Sequence, residues 1–310
     1  MSAKPVIIDC DTGTDDAIAL VAALYSPELD VRSITTVAGN VELKYTSRNT
    51  LNLVRYLGFD IPVAVGAPKP LIRDEIIYTG NETHGKTGLG DVILPNTDAS
   101  FYEKNAVETI YEQAKICAGE LELIPIGPLT NIALAVSVYP ELKRLIKRIT
   151  FMGGAKIGGN VTTSAEFNIW ADPEAARVVF AAGIPLTMVG LDVTLKAVLN
   201  RKDVGEIRAM RSKAAIFAAD ILDFMLNRFK AGGEDVLMHD ALAVGVCIDP
   251  TLVEMQDYFV DCECVGKYTS GHTMVAVTPL FRHAPNCSVC EQLNLSKFKE
   301  WLKATIARSA

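Results

Sequence analysis

The N-terminal half of the chain alternates short apolar runs with segments whose apolar residues recur at helical spacing. Residues 6–20 begin as an apolar run, pass through acidic residues and a glycine turn, and continue as an apolar helical pattern. Short apolar runs predict strands and longer periodic segments predict helices. The later predicted strands are residues 31–37, 62–65, 121–126, 149–152 and 186–189, and the predicted helices are residues 16–25, 47–57 and 106–117. This β-α-β-α-β order indicates a parallel sheet with right-handed crossovers.

The remaining segments predict further helices, one β-rich stretch and one long loop. One further helix is predicted to begin near Pro173, and three others span residues 204–230, 239–247 and 295–306. Residues 254–277 predict strands with a hairpin near residues 270–271. Between residues 71 and 96 the periodicity stops, and four glycines surround His84. Long loops of this kind inside compact domains are usually functional or disordered.

Length and composition indicate one globular domain. The chain has 310 residues, 49% of them hydrophobic, and no linker, charge block or low-complexity segment divides it. We therefore predict a single domain over residues 1–310. The net charge of −7 argues against nucleic acid as a partner, because proteins that bind it usually carry a basic face.

The sequence also bears on location. No apolar run approaches the ~18 residues that would span a membrane, and the N-terminus lacks the apolar core and cleavage site of a signal peptide. The 7 cysteines are odd in number and scattered, which fits reduced thiols better than a disulfide framework. We expect a cytoplasmic protein with no membrane partner.

Four carboxylates follow one another at the end of the first predicted strand. They are Asp9, Asp11, Asp15 and Asp16. Such a cluster repels itself unless protons or a cation compensate it, and hard oxygen ligands suit Ca²⁺ or Mg²⁺. The structural alternative is that an aspartate caps the next helix. Capping does not account for Asp9 and Asp11 on the strand, so a divalent cation is the simpler explanation.

Two pairs of cysteines offer a different metal. Cys262 and Cys264 form a C-x-C pair, and Cys287 and Cys290 form a C-x₂-C pair, as in thiolate zinc sites. Cysteines two apart share one face of a strand, and thiols also pack as small hydrophobes. We favour packing over zinc.

Taken in order, the polar motifs resemble those of the nucleoside hydrolases of the inosine–uridine-preferring family. The family's opening signature, close to D-x-D-P-G-x-D-D-A, matches residues 9–17 except that Thr12 stands where proline is usual. The other matches are V-A-G-N at 37–40, T-H-G-x-x-G-L at 83–89, G-P-L-T-N-I-A at 127–133, M-G-G at 152–154, E-F-N-I-W-A-D-P-E-A-A at 166–176 and H-D-A-L-A-V at 239–244. Each motif alone is weak, but together they span most of the chain.

The resemblance implies a fold and a reaction. The fold is a single α/β domain around a mainly parallel, open twisted sheet with helices on both faces, with its site at the carboxyl ends of the strands. The reaction is hydrolysis of the N-glycosidic bond of ribonucleosides to base and ribose, in nucleoside salvage or catabolism. A homo-oligomer, either a tetramer or a dimer, is also implied.

The resemblance further implies one bound Ca²⁺. Carried over residue by residue, its ligands are the carboxylates of Asp11, Asp16 and Asp240 and the backbone carbonyl of Thr130. Water and two ribose hydroxyls complete an all-oxygen set, as calcium requires. Asp11 is implied to take a proton from a calcium-coordinated water, which attacks as the ribose becomes an oxocarbenium-like cation. The implied substrate-binding residues are Asp15, Asn40, His84, Met152, Asn160, Glu166, Phe167 and Asn168.

The departing base needs its own assistance. The resemblance implies His239 as the acid, because imidazole titrates near neutrality and the family's matching histidine faces the base. A purely structural histidine is the alternative, and the adjacent Asp240 disfavours it. In residues 227–231, where some relatives contact the base, Phe229 is a candidate for stacking and Asn227 for a hydrogen bond. Neither residue decides between pyrimidine and purine bases.

Two other functions are compatible with parts of the sequence. The D-x-D motif also opens haloacid-dehalogenase-type phosphatases, but these require Thr or Val where this chain has Gly13. A calcium-dependent nucleoside- or sugar-binding protein without hydrolase activity would keep the metal ligands and need neither a base nor an acid. The presence of Asp11 and His239 disfavours that alternative.

Overall fold

The computed structural model describes residues 3–74, 81–228, 235–278 and 282–309. Within these ranges the main sheet has eight strands. They are β1 (Lys4–Cys10), β2 (Leu29–Thr36), β3 (Val63–Val65), β4 (Leu121–Pro125), β5 (Ile146–Met152), β6 (Leu186–Val189), β9 (Val253–Tyr258) and β12 (Cys287–Leu293). Two small antiparallel ribbons pair β7 (Val198–Asn200) with β8 (Asp235–Leu237) and β10 (Val260–Cys262) with β11 (Thr273–Val275).

The strand order of the main sheet is β3-β2-β1-β4-β5-β6-β12-β9. Neighbouring strands run parallel, except that the edge strand β9 is antiparallel to β12. The order reverses between β1 and β4, so the loops that leave these two strands diverge and open a crevice at their carboxyl ends. The predicted parallel sheet is confirmed.

Helices cover both faces of this sheet. They are α1 (Thr14–Leu24), α2 (Leu43–Tyr56), α3 (Asn81–His84), α4 (Ala106–Ile116), α5 (Thr130–Val138), α6 (Leu142–Leu145), α7 (Phe167–Ala171), α8 (Pro173–Phe180), α9 (Leu191–Thr194), α10 (Arg201–Ala209), α11 (Lys213–Asn227), α12 (His239–Ile248) and α13 (Leu295–Ala307). Val6 and Ile8 of β1 pack with α1, α11 and α12, whereas Ile7 packs on the opposite face with α4, α5 and α8. Strand alternation therefore produces the two helical layers.

The long helix predicted over residues 204–230 is wrong, because α10 and α11 are separate helices. Arg211 has a φ of +62°, a left-handed conformation that interrupts a helix. The Ser212 hydroxyl then accepts a hydrogen bond from the backbone N–H of Ala215 at 3.1 Å and caps α11. The apolar spacing continues across this break, so periodicity alone cannot detect it.

Strand β12 is absent from the predicted elements, and it carries two of the paired cysteines. Cys287 packs in the hydrophobic core on one face of the sheet and Cys290 in the core on the other. Residues three apart on a strand face opposite sides, so this pair cannot chelate one ion. Cys262 packs in the same core as Cys287, and all these thiols are free. The cysteines therefore pack as small hydrophobes.

The remaining elements agree with the predictions in kind. The hairpin predicted near residues 270–271 is the ribbon of β10 and β11, and Gly271 in its loop has a left-handed φ of +86°. The polar loop predicted before Pro173 contains the short helix α7. Across the described ranges, no helix is both long and apolar enough to cross a membrane.

Candidate active site

The predicted functional residues gather at the carboxyl edge of the sheet, above the crevice between β1 and β4. A cavity of about 450 Å³ opens there, a size typical of small-molecule sites. Of the predicted residues, those that line it are Asp15, Asn40, Met152, Asn160, His84, Glu166, Phe167, Asn168, His239 and Asp240. Asp11, Asp16 and Thr130 are buried. Segments far apart in the sequence therefore meet at one cavity.

Asp16 organises the turn between β1 and α1. Its Oδ2 accepts hydrogen bonds from the backbone N–H of Gly13 and from Asn40 Nδ2, both at 2.9 Å. Its Oδ1 accepts a third from the backbone N–H of Asp11 at 3.1 Å. Asp16 thus caps α1, as the structural alternative predicts, and also holds the Asp11 backbone in place.

Asp11 occupies a recess that two glycines leave open. Its Oδ2 accepts a hydrogen bond from the backbone N–H of Asn40 at 2.6 Å. A Cβ atom at Gly39 would lie 2.0 Å from Asp11 Oδ2, and one at Gly127 would lie 2.6 Å from Oδ1. Within the described residues, Oδ1 has no hydrogen-bond partner. The recess therefore holds a buried carboxylate with one oxygen left for a ligand.

The first turns of α1 and α12 meet through Asp15 and Asp240. The backbone N–H of Asp240 donates to Asp15 Oδ2 at 3.0 Å, and both side chains are buried. Asp15 Oδ1 finds no hydrogen-bond partner in the described part of the chain. We call Asp11, Asp15, Asp16 and Asp240 the acidic cluster.

Burial strongly perturbs these carboxylates. It raises the pKa of Asp15 to about 7, with the charge of Asp16 adding to the effect. Burial and the same Asp16 charge raise the pKa of Asp11 well above its usual range. The pKa of Asp240 is also raised well above its usual range, by burial first and then by the charge of Asp15. A cation would relieve this cost, since it replaces protons as the compensating charge.

The acidic cluster fits a hard divalent cation in its donor chemistry. All its side-chain donors are oxygens, and two of them lack hydrogen-bond partners among the described residues. The Thr130 hydroxyl donates to Asp172 Oδ2 at 2.7 Å, so a ligand role for Thr130 falls to its backbone carbonyl. In the described ranges, no three His, Cys, Asp or Glu side chains already converge in metal-binding geometry. The carboxylates are thus assembled without forming a complete ligand shell.

Glu166 and Asn168 form a hydrogen-bonded wall of the cavity. Glu166 caps α7, and its two oxygens accept from the backbone N–H groups of Asn168 and Gly154, both at 2.9 Å. Asn168 Nδ2 donates to the carbonyls of Ile126 at 3.1 Å and Met152 at 3.2 Å. Burial raises the pKa of Glu166 to about 7. The ends of β4 and β5 therefore fix the orientation of both side chains.

Asn160 extends this wall through the loop after β5. Its Oδ1 accepts a hydrogen bond from the backbone N–H of Phe167 at 3.0 Å. The Phe167 side chain is half-buried and lines the cavity. The loop and the start of α7 are thus joined beside the predicted ribose-binding residues.

A basic group, consisting of His84, Arg228 and His239, also lines the cavity. His84 Nδ1 accepts a hydrogen bond from the backbone N–H of Thr14 at 3.2 Å, so its proton lies on Nε2. Burial lowers the pKa of His84 to about 3 and that of His239 to about 4, and the Arg228 charge adds to both shifts. His239 Nδ1 lies 2.8 Å from Thr194 Oγ1. Arg228 therefore carries the fixed positive charge of this group.

Of the two base-contacting candidates before the H-D motif, only Asn227 is described by the structure, and it does not line the cavity. Asn227 is exposed, and its Oδ1 accepts a hydrogen bond from Arg201 at 3.0 Å. Phe229 lies outside the described residues. The cavity is lined instead by Met225 and Arg228, which are three residues apart and share one face of the helix end. The spacing from Met225 is the sequence signal that would have pointed to Arg228.

Comparisons with known proteins agree with this geometry. Residues 6–300 match the family model described as inosine-uridine preferring nucleoside hydrolase. The pyrimidine-specific ribonucleoside hydrolase RihA of Citrobacter koseri is 41% identical over 98% of this chain and 98% of its own. The solved structure of a purine-preferring ribonucleoside hydrolase from Gardnerella vaginalis has a TM-score of 0.92 at 35% identity and covers 98% of both chains. A structure described as an inosine-guanosine nucleoside hydrolase has a TM-score of 0.90 at 28% identity, over 97% of this chain and 98% of its own.

The chain therefore belongs to the family of inosine-uridine preferring nucleoside hydrolases. It is an enzyme that hydrolyses the N-glycosidic bond of ribonucleosides, and its family is metal-dependent. The phosphatase alternative is wrong, and a binding protein without hydrolase activity is not supported.

Proposed function

We propose that this ribonucleoside hydrolase holds one calcium ion at the carboxylates of Asp11, Asp16 and Asp240 and the backbone carbonyl of Thr130. The observation that carries the proposal is the buried acidic cluster, in which oxygens of Asp11 and Asp15 lack hydrogen-bond partners within the described ranges. Calcium accepts six to eight oxygen ligands in flexible geometry, whereas magnesium requires a near-ideal octahedron and keeps several waters. A set of protein, water and ribose oxygens suits calcium better.

Asp11 is the proposed general base. The attacking water bonds to C1′ through its oxygen, and one of its protons passes to the Asp11 carboxylate. The C1′–N bond breaks, and its electron pair stays on the base. A bound calcium ion would lower the pKa of the attacking water.

Five polar side chains are proposed to bind the ribose hydroxyls. They are Asp15, Asn40, Asn160, Glu166 and Asn168. Asp16 holds the side chain of Asn40, and hydrogen bonds to backbone groups hold the other four side chains, which favours binding a distorted sugar ring over binding the relaxed one. Met152 and Phe167 are proposed to supply the apolar contacts around the ribose.

His239, which burial keeps neutral before substrate binds, is the proposed proton donor to the departing base, to which it relays a proton from solvent as negative charge develops there. Its Nδ1 pairs with Thr194 Oγ1, which leaves Nε2 as the ring nitrogen for the substrate. His84, neutral and held by Thr14, is proposed to close the cavity beside the base.

The preferred base is the question for experiment, since the relatives differ. The curated relatives that are 41% identical are named pyrimidine-specific, whereas a structural relative at 35% identity is described as purine-preferring. The test measures ribose release from uridine, cytidine, inosine and adenosine, with 2′-deoxyuridine as the arm for sugar discrimination. We expect turnover of at least one ribonucleoside.

Elemental analysis of the purified protein tests the metal. We expect one calcium per chain, loss of activity with a chelator and recovery with calcium alone. Stoichiometric zinc without calcium, or activity that resists chelation, would contradict the proposed calcium site. The cytoplasmic location, the homo-oligomer and the domain boundary at residues 1–310 stay predictions.

A further inference from the structure

Arg228 is the feature of the cavity that the proposed mechanism does not use. It follows the last residue of α11, and its guanidinium Nη1 donates to the backbone carbonyl of Thr83 at 3.2 Å. It therefore connects the end of α11 to α3, the segment that carries His84. Its side chain is half-buried and lines the cavity.

The charges around Arg228 give the cavity a polarity. Asp15 of the acidic cluster attracts its guanidinium, and Arg228 in turn disfavours the charged forms of both histidines. An arginine stays protonated at any physiological pH, so its positive charge does not depend on the titration of its neighbours. One side of the cavity thus presents carboxylates to the sugar and to any bound metal ion. The other side presents the permanent positive charge of Arg228 beside the two histidines.

Cleavage of a nucleoside creates a negative charge on the departing base, which is opposite in sign to the charge of Arg228. When the C1′–N bond breaks, its electron pair spreads over the base, onto the ring atom next to the glycosidic nitrogen. That neighbour is the C2 carbonyl group in pyrimidines and the C4–N3 unit in purines, so both classes offer an acceptor at this place. A fixed donor aimed at developing charge stabilises the transition state more than the ground state.

We propose that Arg228 is a catalytic residue for departure of the base, donating a hydrogen bond to the acceptor beside the glycosidic nitrogen and stabilising its developing negative charge. This inference rests on the proposed function of the cavity. The bond electrons go to the base, the water oxygen bonds to C1′, and the water proton goes to Asp11. Arg228 transfers no proton; the base takes its own from His239 or from solvent.

The contact with Thr83 also suits a structural role, so the test must separate the two. Arg228→Met keeps most of the apolar stem and removes the charge, and Arg228→Lys restores a charge without the planar fork. Arg201→Met is the matched control, because Arg201 is exposed and contacts the same helix end through Asn227 outside the cavity. Substrates are the best natural ribonucleoside and a nitrophenyl riboside, whose leaving group departs readily as an anion.

If Arg228 stabilises the departing base, Arg228→Met should lower kcat on the nucleoside by about 10²-fold or more, the scale of losing one preorganised donor to a developing anion. The loss on the nitrophenyl riboside should be at least about tenfold smaller, since that leaving group needs less stabilisation. Arg228→Lys should recover part of the loss, and Arg201→Met should leave both rates unchanged. Added guanidinium at millimolar concentration should partly restore Arg228→Ala.

Equal losses on both substrates, without rescue by lysine or guanidinium, would assign Arg228 to the support of α3 and overturn the proposal. Unchanged nucleoside turnover in Arg228→Met would overturn it as well. Should Arg228→Met fail to fold, the comparison of substrates in Arg228→Lys decides the same question. A wild-type enzyme that releases no ribose from any nucleoside would instead contradict the proposed function itself.

Discussion

The acidic cluster and the basic group face one cavity but are built by different means. The sheet positions most of the acidic cluster: Asp11 follows β1, and Gly39 and Gly127, which follow β2 and β4, leave room for its carboxylate. Only Asp240 comes from the start of α12. The basic group comes from segments outside the sheet, namely α3, the end of α11 and the start of α12. The main-sheet topology therefore fixes most of the first region, whereas helix ends position the second.

The different construction of the two regions explains how relatives can share a fold and yet prefer different nucleosides. A pyrimidine-specific relative and a purine-preferring one both align over 98% of this chain. Residues on loops and helix ends can change without disturbing the sheet that supports them. We therefore expect the sugar side to be common to the relatives, and the end of α11, which lies outside the two histidine motifs, to be the variable part of the base side.

The largest effect should come from the acidic cluster, with Asp11→Asn. The amide keeps an oxygen toward the metal but cannot take the proton, so kcat should fall about 10²–10⁴-fold, the usual cost of a lost general base. Steady-state kinetics and calcium titration check this, with the exposed Asp60→Asn as the control. If Asp11→Asn binds calcium and keeps a kcat near that of the wild type, Asp11 is not the general base.

The next effect tests the basic group with His239→Ala. On the preferred nucleoside kcat should fall by roughly 10²-fold, the scale of one lost proton donor. A nitrophenyl riboside should be hardly affected, because its leaving group needs no proton while the acidic cluster remains. Equal losses on both substrates would mean that His239 supports Asp240 or the fold, and His84 would become the next candidate acid.

A third measurement sharpens the contrast through pH. Burial raises the pKa of Asp15, which lies in the acidic cluster beside the proposed ligand Asp16, from 3.8 to about 7, so a proton at Asp15 competes with the cation below that pH. Calcium affinity should rise from pH 5 to 7, by about tenfold per unit for each proton displaced, and level off above pH 8. Isothermal titration calorimetry in buffers of different ionisation enthalpy counts the protons released on binding. A calcium affinity that does not change between pH 5 and 7 would contradict the prediction.

A second shift sets the sign of a stability effect, because burial raises the pKa of Glu166 from 4.5 to about 7. Between pH 4.5 and about 7 the folded, metal-free protein binds more protons at Glu166 than the unfolded chain does. This group's contribution to the free energy of unfolding therefore decreases as pH rises through that window. The free energy of unfolding of the metal-free protein, measured by urea denaturation from pH 5 to 7, should show this decrease, and Glu166→Gln should remove it.

The smallest effect should come from Asn227→Ala. Asn227 is exposed and bonded to Arg201 outside the cavity, so kcat and KM should change by less than about twofold, as for most surface substitutions. The panel of four nucleosides checks whether base preference also stays the same. A change in kcat or KM for only one of the four nucleosides would show that Asn227 contributes to base binding and that residues outside the basic group also set base preference.

The sequence by itself determined the fold class and the acidic cluster. Short apolar runs followed by helical patterns predict a parallel sheet, and such a sheet must bring its carboxyl ends to one edge. Asp11, Asp15 and Asp16 are close in the chain, so their crowding is a local fact. The motif order adds the distant Asp240 and His239 through the family resemblance.

Only the tertiary structure decided which side chains around α11 face the cavity, and where the helices before it break. Apolar spacing runs through Arg211 without interruption, yet a left-handed φ and the Ser212 cap split the helix. At the other end, Asn227 points outward while Arg228 reaches Thr83 and the cavity. Local periodicity cannot supply these facts, because the rotation of a helix end is fixed by packing against segments more than a hundred residues away.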